Sequence, residues 1–71
     1  MNATKQMKVR ATEYETEREA IGNADAETAA VLLNGKISTI ARKDAECLAA
    51  AGASFAYLCD HEGTVVTIPV N

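Results

Sequence analysis

The chain has 71 residues, of which 48% are apolar and 24% charged, and its 7 basic and 10 acidic side chains give a formal net charge of −3. This length allows one small domain over residues 1–71, and the composition excludes a disordered chain. The acidic balance argues against a nucleic-acid partner, because phosphate backbones are bound mainly by Lys and Arg.

Large core-building side chains are scarce, with one Phe, two Tyr and no Trp. A chain of this size buries only about 60% of the surface that its unfolded form exposes. Such small domains often gain stability from a metal, a disulfide or a second copy of themselves. Self-association is therefore expected before any motif is considered.

The opening segment carries no targeting signal, since residues 1–10 lack the apolar run of a secretory leader and no stretch approaches the ~20 apolar residues of a membrane span. We expect a cytoplasmic protein with no membrane partner. Residues 1–7 are polar and aperiodic, which predicts a frayed end.

The segment from Val9 to Ile21 fits two structures. Thr12 and Glu15 have the spacing of a capping box, and Gly22 follows where a helix would stop. Thr and Tyr also alternate with acidic residues here, which is typical of an exposed edge strand. The sequence favours the helix.

The sequence of residues 26–33 is also compatible with either a helix or a strand. Asp25 could cap a helix with an alanine and leucine stripe, or the segment could be a strand that ends at Asn34-Gly35, a strong hairpin signal. We favour the hairpin with a returning strand over residues 36–41.

The loop of this hairpin decides which side chains share a face. A two-residue turn would pair Leu33 with Lys36, and thus an apolar with a polar side chain. A three-residue loop over residues 34–36 would pair Leu33 with Ile37 and gather the apolar side chains on one buried face. The three-residue loop is therefore predicted.

Asp44 predicts the start of a helix that runs to Ala51 and stops at Gly52. Leu48 is its large anchor. Its buried face includes either Ala45 and Ala49 or, after rotation, Cys47.

The second hairpin is predicted with a four-residue loop over residues 60–63. This pairing places six side chains on the face that packs the helix: Phe55, Tyr57, Cys59, Thr64, Val66 and Ile68. The opposite face carries Ala56, Leu58, Val65 and Pro69. It is also apolar, so either the N-terminal segment or a partner subunit should cover it.

The residues with soft metal-ligand atoms are Cys47, Cys59 and His61. Their spacing does not match the paired ligands of a structural zinc site. A disulfide between the two Cys is possible but is disfavoured in a reducing compartment. Asp60 and Glu62 lie at a hairpin tip, which is too exposed for acid–base catalysis.

Four acidic residues alternate with other side chains near the N-terminus: Glu13, Glu15, Glu17 and Glu19. They predict a solvated face or, alternatively, a surface for a basic protein.

Taken together, the sequence predicts an α+β domain in which two β-hairpins flank a short central helix, with an N-terminal helix or edge strand. The expected function is a non-catalytic protein-interaction module that forms a homodimer and needs no cofactor. Its surface is expected to include Ala56, Leu58, Val65, Glu13, Glu15 and Glu17. The alternatives are a metal- or thiol-dependent domain using Cys47, Cys59 and His61, and a regulator that binds a basic protein through its acidic segment.

Overall fold

The computed structural model describes residues 9–71, so the predicted frayed end at residues 1–7 lies outside the described part. Five strands form one antiparallel sheet in the order β1-β3-β2-β4-β5. The elements along the chain are β1 (Thr12–Glu13), α1 (Glu17–Gly22), β2 (Thr28–Leu33), β3 (Lys36–Ala41), α2 (Arg42–Ala50), β4 (Phe55–His61) and β5 (Thr64–Val70). The predicted α+β class is confirmed, with two hairpins joined by α2 and preceded by β1 and α1.

The N-terminal segment contains both of the structures that its sequence allowed. β1 pairs Thr12 with Thr39, so the prediction of a continuous helix from Val9 is wrong. The capping spacing recurs four residues later. There the Thr16 hydroxyl accepts a hydrogen bond from the Glu19 backbone N–H at 3.1 Å, and α1 begins after it.

β2 begins at a turn that Asp25 stabilises. The Asp25 carboxylate accepts hydrogen bonds from the backbone N–H of Glu27 at 2.8 Å and from both the N–H and the hydroxyl of Thr28. These bonds lower the pKa of Asp25, with the Glu27 N–H as the largest cause. Asp25 therefore starts a strand, as the favoured alternative required, and does not cap a helix.

The first hairpin uses the two-residue turn, so the predicted three-residue loop is wrong. Leu33 pairs with Lys36, and Val31 pairs with Ser38. Asn34 and Gly35 both have positive φ, 54° and 78°, as a type I′ turn requires. The predicted loop assumed that only one face of the sheet is buried. Both faces are covered, so apolar side chains can lie on either face, and even Ser38 is only 2% exposed.

The second hairpin also has a two-residue turn, at Glu62 and Gly63, in place of the predicted four-residue loop. His61 pairs with Thr64, and Tyr57 pairs with Ile68. The shift from the predicted pairing is two residues, so each side chain keeps its predicted face.

α2 begins at Arg42, two residues before the predicted Asp44, and Ala51 is its C-terminal cap. Ala45 is fully buried, and Leu48 and Ala49 pack beside it. This is the first of the two predicted orientations, and Cys47 points to solvent.

Two cores result, one on each face of the sheet. α2 covers a face that includes Val31, Ile40 and Phe55. On the other face α1 supplies Ala20, which packs against Ala30 and Leu58. The N-terminal segment is thus the element that covers the second apolar face.

Candidate interaction surface

The β4–β5 hairpin presents an apolar strip that the two helices leave partly exposed. The strip consists of Tyr57, Cys59, Val66 and Ile68. Cys59 lies directly opposite Val66, and Tyr57 lies opposite Ile68, so all four side chains share one face. Val66 is 37% exposed and Ile68 48% exposed, and these two are the exposed large hydrophobic side chains of residues 9–71.

α2 covers only the other end of this face. Phe55 is buried there, and its ring contacts Tyr57 edge-on, with 5.4 Å between the ring centroids. Val70 also packs against this core. The apolar strip therefore continues the α2-side core into solvent.

β5 is also an edge of the sheet, with β4 as its neighbour. In a two-residue hairpin the flanking pair, here His61 and Thr64, exchanges backbone hydrogen bonds, and bonded pairs then alternate along the ladder. The backbone groups of Val65, Thr67 and Pro69 consequently point away from β4. Pro69 has no N–H, so the outward donors of β5 belong to Val65 and Thr67.

No residue of β5 carries a charge, since its sequence is TVVTIPV. Edge strands are commonly protected from pairing by charged side chains, by Pro or by being very short. β1, at the opposite edge, is two residues long and carries Glu13, which lies 3.6 Å from the Lys36 ammonium. Pro69 is the one such device in β5, and it protects only one end.

The turn of this hairpin is held against α1 by Arg18. Its guanidinium donates to the Gly63 carbonyl oxygen and lies 3.8 Å from the Asp60 carboxylate. The same carboxylate accepts a hydrogen bond from the Gly63 N–H at 3.0 Å. Both backbone groups of Gly63 are therefore already bonded.

The predicted surface residues of the hairpin lie beneath or beside α1. Leu58 is 6% exposed and packs against Ala20, so it is not accessible to a partner in this conformation. Ala56 and Val65 are half-buried. The more exposed apolar side chains, Val66 and Ile68, lie on the opposite face, which sequence reasoning assigned entirely to the helix.

The acidic residues do not form one continuous row. Glu13 lies in β1, Glu15 lies in the bend that follows, and Glu17 lies in the first turn of α1. All three are exposed. Of these three residues, only Glu13 takes part in an ion pair found within residues 9–71.

The soft-ligand residues are distributed over two elements. Cys47 is exposed on α2, whereas Cys59 and His61 lie on β4, and both thiols are free. In the described part of the chain, no group of three His, Cys, Asp or Glu side chains could hold a metal ion. Likewise, no helix in residues 9–71 is long and apolar enough to cross a membrane.

A shallow groove of about 420 Å³ lies where β2 and β4 separate. These strands pair at two positions only, Val31 with Tyr57 and Leu32 with Ala56. Ala29 and Cys59, which would come opposite each other farther along, line the groove instead. Because Ile68 also lines it, the groove adjoins the apolar strip.

Comparisons with protein-family models, with curated proteins and with solved structures found no match for this chain.

Proposed function

We propose that this protein is a small, acidic, non-catalytic interaction module that forms a homodimer through the β4–β5 hairpin. The observation that carries the proposal is an uncharged edge strand whose exposed face presents Val66 and Ile68. Unprotected edge strands readily pair with another strand, and exposed apolar patches commonly mark interaction sites.

The charge distribution favours dimerisation through β5 over the alternative in which the acidic N-terminal segment binds a basic protein. Two chains of net charge −3 repel each other at long range, but contact along the uncharged strand β5 brings no like charges of that strand into direct opposition. The acidic residues lie in and around β1 and α1, whereas the contact uses β5 at the far edge of the sheet.

The expected interface is modest. A stable protein–protein interface buries about 800 Å² on each partner, which is roughly one-sixth of the 4906 Å² that this chain exposes. The apolar strip and the β5 edge form only part of such an area. A concentration-dependent dimer is therefore expected rather than a permanent one.

The positions of Asp60 and Glu62 support the non-catalytic part of the proposal. Asp60 and Glu62 are both exposed at the β4–β5 turn. Asp60 is bound by Arg18 and by the Gly63 N–H. A reducing compartment such as the cytoplasm is part of the proposal, because Cys47 is an exposed free thiol.

Matched Thr variants on the two faces of β5 test the proposal. Ile68→Thr makes the exposed apolar strip more polar, while Val65→Thr makes a similar change on the opposite face of the same strand. Native mass spectrometry over a range of protein concentrations should show a dimer for the parent chain and for Val65→Thr. Ile68→Thr should shift the equilibrium to the monomer.

The melting temperature provides an independent readout, because dimerisation makes it rise with protein concentration. That dependence should be weakened in Ile68→Thr and retained in Val65→Thr. A parent chain that is monomeric at every concentration, with a constant melting temperature, would refute the proposal.

A further inference from the structure

We infer that two copies pair through their β5 strands, antiparallel and about a two-fold axis, with Val66 of one copy opposite Val66 of the other. The two five-stranded sheets then form one continuous sheet of ten strands. This inference rests on the proposed function and specifies the contact that the dimer makes.

The backbone groups of β5 determine this pairing. In the pairing centred on Val66, Val65 of each copy lies opposite Thr67 of the other. Both residues point their N–H and C=O groups outward, so each such pair exchanges two hydrogen bonds. The two-fold axis doubles the set to four bonds, and every outward group of Val65 and Thr67 has a partner.

Pro69 is accommodated in the same arrangement. It comes opposite Gly63 of the second copy, whose carbonyl oxygen is already bonded to Arg18 and whose N–H is already bonded to Asp60. The donor that Pro69 lacks is therefore not needed there. The Pro69 carbonyl lies at the end of the new ladder, where water can reach it.

The neighbouring pairings leave backbone groups of β5 without hydrogen-bond partners on the second copy. A pairing centred on Thr67 sets the Val65 carbonyl opposite Pro69, which has no N–H to give. A pairing centred on Val65 sets Thr67 opposite Gly63, whose N–H is already donated to Asp60, so the Thr67 carbonyl finds no donor on the second copy. An unpaired buried backbone group costs about 1–3 kcal/mol, so the Val66-centred pairing is preferred.

The side chains agree with this choice. Val66 and its copy form a pair without mutual hydrogen bonds, the arrangement that brings opposing side chains closest together. Ile68 lies opposite Thr64 of the second copy and diagonally beside the central Val66 pair. The exposed part of the apolar strip is thereby continued across the two-fold axis.

Disulfide trapping tests the pairing. Cys47 and Cys59 are first replaced by Ala, because Cys59 lies opposite Val66 within its own hairpin and would capture a new thiol. Val66→Cys in this background sets two identical positions opposite each other, at the short Cα separation that a disulfide needs. Thr67→Cys is the control, because its thiol would lie opposite Val65 and on the other face of the sheet.

Non-reducing electrophoresis after mild oxidation measures the linked dimer. Val66→Cys should link at least about tenfold faster than Thr67→Cys, because preformed contact raises the effective thiol concentration. Faster linkage of Thr67→Cys, or slow linkage of both variants while native mass spectrometry still shows a dimer, would overturn this pairing and leave the proposed function intact. A monomeric parent chain would overturn both.

Discussion

Replacing Leu58 by Ala removes the largest side chain buried between α1 and the sheet. Leu58 is 6% exposed and packs with Ala20 and Ala30, which are too small to fill the space left behind. The lost apolar transfer free energy is roughly 2–2.5 kcal/mol at about 0.8 kcal/mol per methylene. A residual cavity raises the expected cost to about 2.5–4 kcal/mol.

Ile68→Ala is the comparison within the same hairpin. Because Ile68 is 48% exposed and Leu58 only 6%, truncation of Ile68 opens no enclosed cavity and loses roughly half as much apolar burial. The expected cost is about 1–1.5 kcal/mol in the monomer. Stability of a small domain is about 0.05–0.15 kcal/mol per residue, or about 4–11 kcal/mol for this chain, so the Leu58 variant should lose a large part of its stability while the Ile68 variant keeps most of it.

Urea unfolding followed by circular dichroism measures both costs. It should be done at protein concentrations where native mass spectrometry shows only monomer, so that dimer dissociation does not contribute. A cost for Leu58→Ala equal to or below that of Ile68→Ala would refute the assignment of Leu58 to the α1-side core. It would also make the predicted surface role of Leu58 possible again.

Three further tests address local structure. Because the folded-state pKa of Asp25 is lowered, its ionised form stabilises the fold above the ordinary pKa of about 3.9, and that stabilisation is lost as the pH falls through the lowered value. Asp25→Asn keeps one side-chain oxygen as an acceptor but cannot titrate, so it should weaken the fall in melting temperature below about pH 4. An unchanged acid profile would contradict this role. Gly35→Ala should lower the free energy of unfolding by about 1–2 kcal/mol, because Gly35 has a φ of 78°. Gly22→Ala in α1 should raise it by about 0.5–1 kcal/mol, because an added Cβ meets nothing within 4 Å there. Thermal unfolding measures both changes. If both substitutions changed the free energy of unfolding in the same direction, the left-handed turn at Gly35 would be contradicted. Thr16→Ala should lower the free energy of unfolding by about 1 kcal/mol through loss of the α1 cap. Thr12→Ala should change the free energy of unfolding by less than about 0.5 kcal/mol. A larger loss of stability for Thr12→Ala than for Thr16→Ala would favour Thr12 as the helix cap, as the sequence predicted.

Local chemistry was sufficient for most element types. The helix stop at Gly52 and the strand character of the Phe55 segment depend on nearby residues, so they could be predicted from short windows. The turn at Asn34-Gly35 is also local, since this dipeptide favours positive φ at both positions. Its geometry was predicted wrongly because the apolar side chains were assumed to gather on a single face.

The β4–β5 turn shows a different limit. Glu62 adopts φ of 52° although it is not a glycine, and no sequence pattern marks this position as left-handed. Two hydrogen bonds of Gly63 hold the turn: its N–H donates to the Asp60 carboxylate, and its carbonyl oxygen accepts from Arg18, which lies 45 residues away in the chain. A contact from a residue so distant in the chain cannot be predicted from the residues of the turn itself.

The exposure of the candidate surface could not be predicted from the sequence either. Alternation correctly placed Val66 and Ile68 on the face that packs α2, because strand side chains alternate strictly between faces. It could not show that α2, with nine residues, covers only one end of that face. Nor could it show that α1 would cover Leu58 on the other side.

The sequence by itself therefore determined the class of fold, the two hairpins with their central helix, and the face on which each residue of β4 and β5 lies. These features follow from the period-2 geometry of strands and from helix stop signals, which act over a few residues. Tertiary structure alone decided how much of each face the two helices cover. Coverage depends on where elements distant in sequence dock, and that docking is what leaves Val66 and Ile68 exposed.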